Sequence, residues 1–371
     1  MNQDTLRNQI ALTLLPDVGP VVARNLISYC GGVDAIFRQK AVQLEKIPDI
    51  GPVTAAKIAK NEVFARADAE VEYIHRNGIT PLFYLDPAFP QRLKHCHDSP
   101  VMLYYKGTAD LNRPRVIAIV GTRSATEYGR SITEKLIEQL VAFDVVVVSG
   151  LAYGIDICAH RAALKEGLPT IGVMGHGLDR LYPGEHRSTS RKMLEQGGLL
   201  TEFPSKTNPD RENFPKRNRV VAGMCDAVVV VEAGEKGGAL ITADIAHSYS
   251  RDVFAVPGRV DDPFSLGCNK LIRINKAALI SSADHIAYLM GWDREGVQGI
   301  SAPKLIQQQL FVDLSPDEQI VIDLIQSQGK ISIDVLSFNT RIPFSKLSAI
   351  LLSLEMKNMV KALPGKLFAL V

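Results

Sequence analysis

Three short stretches carry residue types that can hold a phosphate. In VIAIVGTRSATEYGR, residues 116–130, an apolar run ends at Gly121 and is followed by Thr122 and Arg123. Such a turn offers free backbone N–H groups, a hydroxyl and a guanidinium, and an arginine fork grips phosphate oxygens bidentately. A nearby carboxylate such as Glu127 is the alternative partner for Arg123. In DRENFPKRNRVVAG, residues 210–223, Arg211, Lys216, Arg217 and Arg219 cluster around Phe214, against Asp210 and Glu212. Cations that track a backbone, interleaved with a ring that can stack on a base, suit a nucleic acid strand. Pro215 marks a helix start, which adds its dipole; the plainer reading is a solvated helix start. In GGALITADIAH, residues 237–247, a glycine turn again precedes a threonine near a helix start.

Other chemistries fit less well. A dinucleotide fingerprint needs G-x-G-x-x-G and an acid about 20 residues on. Here Arg123 and Thr126 stand at the second and third glycine positions, and the next strand ends in Ser149-Gly150. No G-x-x-x-x-G-K-[ST] loop occurs, so no nucleotide cofactor is expected. Asp156 and His160, one helical turn apart in GIDICAH, could ligate a metal or share a proton; the alternative is a satisfied structural histidine. His176 and His186 are candidates for polar contacts. No Ser-His-Asp or paired-carboxylate arrangement is evident, and no metal is expected.

These residues must be positioned by alternating elements. From Arg115 onward the apolar runs VIAIV, DVVVVS, TIGVM, LLTEF, AVVVVEA and DVFAVPG are separated by helix-like segments. That rhythm predicts a parallel sheet covered on both faces, with ligands at the C-terminal ends of the strands. Those ends read GTR, SGLA, MGHG, EFPS, EAGEKGG and PGR. Before them, ITPLFYLD and SPVMLYYKG read as short strands joining the same domain.

The flanks differ. LPDVGPVVARNLI and IPDIGPVTAAKIA, starting at Leu15 and Ile47, align without gaps. They resemble a tandem helix-hairpin-helix, in which loop N–H groups meet a DNA phosphate. Pro20 and Pro52 stand where the second glycine is usual and remove a donor, so the repeat is either a structural helical pair or a DNA contact. GWDREGVQGISAPKLIQQQLFVDLS reads as a linker. From Ser315, a capped helix, two further helices and a hairpin around Pro-Gly make a winged-helix pattern.

Composition is that of an ordinary globular chain of 371 residues: 46% hydrophobic, 22% charged, net charge +2. A polyanion site would therefore need local cation clustering. Five scattered cysteines without a C-x-x-C argue against zinc and disulfides and for a reducing cytoplasm. The first residues carry no secretory pattern, and no apolar run reaches membrane-spanning length.

In order from about Ile79 to Leu289, the motifs VAIVGTRxxTxYG, SGLAxGIDxxAH, GxGLDxxYPxE, EFP…FPxRNRxxAG, LITAxxA, VPG and GxNxLI resemble the DNA-processing protein A (DprA, also called Smf) family. The resemblance implies an α/β chain with an extended Rossmann-like parallel sheet, flanked by an N-terminal helical domain and a C-terminal winged helix. The expected domains are 1–66 (tandem helix-hairpin-helix-like), 67–291 (extended Rossmann), 292–313 (linker) and 314–371 (winged helix). It further implies a non-catalytic single-stranded DNA-binding protein of natural transformation that protects incoming DNA, loads the RecA recombinase and pairs as a homodimer through the Rossmann domain. Carried over residue by residue, the strand-binding roles fall on Gly121, Thr122, Arg123, Ser149, Gly150, Arg211, Phe214, Lys216, Arg217 and Arg219, with Phe214 as the base-stacker and Asn218 as an internal brace. His186 and Asn275 depart from the usual Asn and Gly. The third winged-region helix carries only Lys346 and Lys357, with Arg341 just before it, so a protein contact or a fold-stabilising role competes with duplex binding there. The glycine turn at 237 also resembles the P-G-G-x-G-T-x-x-E loop of lysine-decarboxylase-like nucleotide enzymes, but its glutamate is absent. A small-nucleotide enzyme is the alternative.

Overall fold

The computed structural model describes residues 3–60, 62–292, 314–357, 359–363 and 367–370. Contacts divide the chain into two compact units, residues 1–295 and 296–371. The expected linker lies almost wholly at 293–313, outside the described residues.

The first unit is organised by nine strands: β1 Thr80–Phe83, β2 Met102–Gly107, β3 Val116–Val120, β4 Val146–Ser149, β5 Thr170–Val173, β6 Gly198–Thr201, β7 Ala227–Val230, β8 Asp252–Ala255 and β9 Ala278–Leu279. Their order across the sheet is β1-β2-β6-β5-β4-β3-β7-β8-β9. From β6 to β9 all pairings are parallel. The two short strands before Arg115 join this sheet as expected and do so antiparallel, β1 on β2 and β2 on β6. The chain winds outward from β3 through β4 and β5 to β6, then returns to β7 on the other side of β3. The direction reverses at β3, which is where open α/β sheets place their ligand crevice.

Period-two alternation fixes the two faces. Val116, Ala118 and Val120 point into one core with Val148, Val173 and Val228, beneath the helices Asn213–Gly223 and Gly238–Ser248. Ile117 and Ile119 point into the other with Val147 and Val229, beneath the helices Glu127–Leu140 and Ile155–Lys165.

The N-terminal region is helical, as expected, but the boundary at 66/67 falls inside one continuous helix, Phe64–Asn77. That helix supplies Ala67, Val71 and Ile74 to a core shared with Leu6, Ile10 and the strand residues Phe83, Met102 and Tyr104. The helical layer is therefore packed into the sheet unit. In the repeat, helices start at Pro20 and Pro52. The left-handed residue of each hairpin is an aspartate, Asp17 at φ 64° and Asp49 at φ 67°. Two carboxylates in the loops disfavour a phosphate there, and Asp17 already pairs with Lys57.

The second unit has helices Pro316–Gln328, Ile333–Thr340 and Phe344–Met356 with strands β10 Lys330–Ser332, β11 Val360–Leu363 and β12 Leu367–Leu370, ordered β10-β12-β11. This is a winged helix; residues 364–366 of the expected hairpin turn lie outside the described residues. Ser315 and Glu318 form a capping box at the first helix. On the third helix, Lys346 pairs with Asp317, and just past its end Lys357 pairs with Glu318. Phe344, Leu352 and Met356 are exposed on it instead.

Candidate functional site

A cleft of about 460 Å³ opens where β3, β4 and β7 end. It unites the stretches singled out in the sequence. The Gly121–Arg123 turn, Gly150, Phe214, Arg217 and the Gly237–Gly238 turn all line it.

The Gly121 turn is held from three sides. A Cβ on Gly121 would lie 2.5 Å from Ile155 Cγ1, so the strand end packs flush against the next helix. The Thr122 N–H donates to the Glu232 carbonyl (2.8 Å), and the Thr122 carbonyl accepts from Ile155 N (3.1 Å). The Ser124 N–H donates to Thr122 Oγ1 (3.2 Å). The buried Glu232 carboxylate accepts from Thr126 N (3.0 Å) and from the Thr126 hydroxyl. Gly129 must be a glycine here, since a Cβ would lie 2.9 Å from Glu232 Cγ. The expectation of free N–H groups in this turn is therefore corrected: three of them are engaged. What the turn presents outward is the Arg123 side chain. Among the described residues no carboxylate lies within ion-pair distance of it, Glu127 included. Its guanidinium carbon stands 5.3 Å from the Phe214 ring centroid, within cation–π range.

Arg217 is buried. It donates to the carbonyls of Val173 (2.8 Å) and Gly150, and its Nε donates to Asn218 Oδ1 (3.1 Å). Asp156, buried beside the same loop, accepts from the N–H groups of Gly150 (3.1 Å) and Ala152 (3.4 Å). Burial raises the Asp156 carboxyl and lowers the Arg217 guanidinium, and each counteracts the shift in the other. Arg123 lowers Arg217 further. Asn218 Nδ2 in turn donates to the Gly238 carbonyl (3.4 Å), so the basic helix and the glycine turn are tied together.

Phe214 is crowded. Arg217 stands 5.9 Å and Tyr182 6.4 Å from its centroid, and Gly175 sits so close that a Cβ there would be 3.2 Å from Cδ1. Its ring carries Arg123 in this structure, so the expected base-stacking role requires that arginine to swing away.

The remaining predicted residues scatter. Ser149 is corrected: it is fully buried and its hydroxyl donates to the Ile119 carbonyl (2.6 Å), so it serves the sheet. Arg219 is likewise engaged inside, with Glu202 and the Asp98 carbonyl. Burial pushes the Glu202 carboxyl up to about 7, against the pull of Arg219. Arg211 and Lys216 are exposed and do not line the cleft. Asp156 and His160 do not meet as a pair; His160 Nδ1 lies 2.7 Å from Thr170 Oγ1, and burial pushes its imidazole down to about 3. Among the described residues no group of three ligands could hold a metal. His176 and His186 brace loops by hydrogen bonds to the Gly177 and Leu151 carbonyls.

Sequence reasoning did not single out Lys236, which is exposed and lines the cleft beside Gly237. Its position in the loop after β7, immediately before a glycine pair, was the available signal. The helix that follows starts on Gly237 without a side-chain cap. An uncapped helix start, Lys236 and Arg123 around one crevice favour an anion.

Residues 80–291 match the family model described as DNA recombination-mediator protein A, and residues 308–366 match that of the DprA winged helix domain. A Protein Smf of Synechocystis is 32% identical over 355 residues, covering 84% of this chain and 89% of that protein. A DNA processing protein DprA of Streptococcus pneumoniae is 40% identical over 203 residues, 55% of this chain and 72% of that one. The X-ray structure of DNA processing protein A from Streptococcus pneumoniae matches with a TM-score of 0.67 at 31% identity, covering 76% of this chain and 96% of that chain. DNA processing protein A from Helicobacter pylori, whose structure is described as giving insight into a single-stranded DNA binding mode, matches with a TM-score of 0.53 at 28% identity, covering 58% and 97%. Among the described residues no helix is long and apolar enough to cross a membrane.

Proposed function

The chain belongs to the DNA recombination-mediator protein A (DprA/Smf) family, and on that premise we propose that its cleft binds the backbone of single-stranded DNA, which it protects and hands to the RecA recombinase. The observation that carries this reading is Arg123, exposed at the strand ends and free of any carboxylate among the described residues, facing the same cleft as Lys236 and an uncapped helix start. Phosphate contacts position a strand without reading its sequence. Arg211 and Lys216 lie outside the cleft lining as exposed cations that extend the strand's path. The cleft binds rather than hydrolyses. Among the described residues its one lining carboxylate, Asp156, is buried and already accepts two backbone N–H groups.

The protein acts as a homodimer paired through the sheet unit. Supporting this, β9 is an edge strand with Leu279 exposed, and Ile274, Tyr288 and Leu289 are exposed in the adjoining segments. The winged helix is read as a protein-contact or fold-stabilising module, because the basic residues on and just past its third helix are paired internally while apolar side chains stand outward.

The test is fluorescence anisotropy of labelled oligo-dT and mixed-sequence strands across a salt series. Arg123→Ala should weaken all strands alike and lower the log–log salt slope by about 0.7, one phosphate's worth. Equal binding by wild type and variant would move the site elsewhere. RecA loading is read separately, as faster RecA filament formation on strands carrying the protein.

A further inference from the structure

A second cavity, of about 610 Å³, lies at the opposite ends of the strands. The segment Ser248–Arg251, which leads into β8, forms one wall. The other includes Arg92, His95 and His97. Arg92 pairs with Asp226 (2.5 Å), the residue just before β7. This cavity therefore opens at the strand starts, whereas the Arg123 cleft opens at their ends.

Its chemistry is one-sided. Two arginines, two histidines and the hydroxyls of Ser248 and Ser250 line it, and among the described residues no carboxylate does. Arg92 is neutralised by Asp226, but Arg251 is not. Arg251 donates to the backbone carbonyls of Arg92 (2.7 Å) and Gly223 (3.3 Å) and sits against the neutral Cys96 thiol, none of which offsets its charge. Its Nε is buried with no hydrogen-bond partner, and among the described residues no carboxylate stands within ion-pair distance. A buried donor without a partner on an uncompensated cation is expensive unless a ligand completes it. The Asp98 carboxylate, next to the lining residue His97, is engaged by the Tyr249 hydroxyl. The helix Gly238–Ser248 also ends here, but the carbonyls of Ile245, Ala246 and His247 are already capped by the N–H groups of Tyr249, Ser250 and Arg251. Its negative end is thus covered.

We propose that this cavity is a second anion site that takes a phosphate group, with Arg251 as its principal cation and His95, His97 and Ser250 as rim donors. The volume suits a nucleotide. The phosphate comes either from a free phosphate compound or from a DNA strand.

The test uses the full chain carrying Arg123→Ala, titrated calorimetrically with thymidine monophosphate and with sodium phosphate. Ser248 is exposed on the cavity wall, so Ser248→Glu adds a carboxylate without touching the core, and His97→Ala removes a rim donor. Nucleotide binding should persist in Arg123→Ala and weaken about tenfold or more when Ser248→Glu is added, as like charges at close range dictate. Arg251→Gln, which keeps an N–H for the carbonyls, should weaken it similarly if it folds. Sodium phosphate binding as well as the nucleotide supports the site and assigns a free phosphate compound. Displacement of the nucleotide by short oligo-dT supports it and assigns the strand. Binding lost with Arg123→Ala alone, binding indifferent to Ser248→Glu, or no binding would overturn the proposal.

Discussion

The guanidinium of Arg217 occupies the space that a side chain at position 150 would need. A Cβ on Gly150 would lie 2.5 Å from Arg217 Cζ. The arginine reaches across the end of β4 to the carbonyls of Gly150 and Val173, with the Asp156 carboxylate beside it. The floor of the cleft is thus a buried cation threaded past a glycine, and the two residues depend on each other.

Gly150→Ala should therefore destabilise the sheet unit by about 3 kcal/mol, the scale of breaking a buried charged contact. It should also weaken strand binding, since Arg217 and Phe214 shift together. Urea denaturation followed by circular dichroism measures the first effect and anisotropy the second. A double-mutant cycle with Arg217→Gln should show strong non-additivity. Additive costs would mean that the arginine does not depend on the missing side chain.

Phe214 is expected to act through Arg123. Cation–π contacts contribute about 0.5–2 kcal/mol, so Phe214→Leu should weaken binding severalfold, alike for oligo-dT and oligo-dA. In an Arg123→Ala background it should have almost no further effect. A loss that depends on base identity and survives without Arg123 would restore the ring as a base-stacking platform.

Much of the scaffold was legible because it rests on continuous apolar runs alternating with helix-like segments and on glycine-bearing strand ends. These placed β3 to β8 and brought attention to the Gly121 turn, the Phe214 segment and the Gly237 turn, which meet in one cleft. What the sequence could not separate was cations that face solvent from cations that face the protein. Lys216 and Arg219 look alike in one basic cluster, yet one is exposed and the other pairs with Glu202, a partner 17 residues away in sequence. Ser149 fails for a similar reason: strand alternation aims it at the Ile119 carbonyl, which only the sheet pairing brings near. The antiparallel edge was hidden too, because β2 pairs with β6 across a long stretch of chain. The boundary at 66/67 misreads a helix whose apolar positions, Ala67, Val71 and Ile74, run straight through it.

Leu279→Glu tests the edge strand. Leu279 is half exposed on β9, which among the described strands pairs only with β8. An unpaired edge with apolar neighbours invites a second copy. The substitution should shift sedimentation from dimer to monomer while leaving the thermal unfolding of the chain nearly unchanged. A wild-type sedimentation profile would exclude this edge from the dimer.

Glu318 should make the winged helix acid-sensitive. Its carboxylate accepts two contacts from Lys357 (2.8 and 2.9 Å), one from Ser353 (2.8 Å) and the Ser315 N–H (2.9 Å). The Lys357 ammonium first, then the Ser315 N–H and the Ser353 hydroxyl, hold its carboxyl down at about 2, against an ordinary 4.5. A carboxyl depressed by folding stabilises fully above its unfolded value and loses that contribution as pH falls through the folded one. The stabilisation should thus be complete above about 4.5 and vanish progressively toward pH 2. Glu318→Gln should speed hydrogen exchange at Val321, Ile322 and Ile325 near neutrality, by an amount equivalent to about 1 kcal/mol. The difference from wild type should close as pH drops through that window. A gap that stayed constant from neutral pH to pH 2 would mean that the side chain's shape, and not its charge, holds this helix in place.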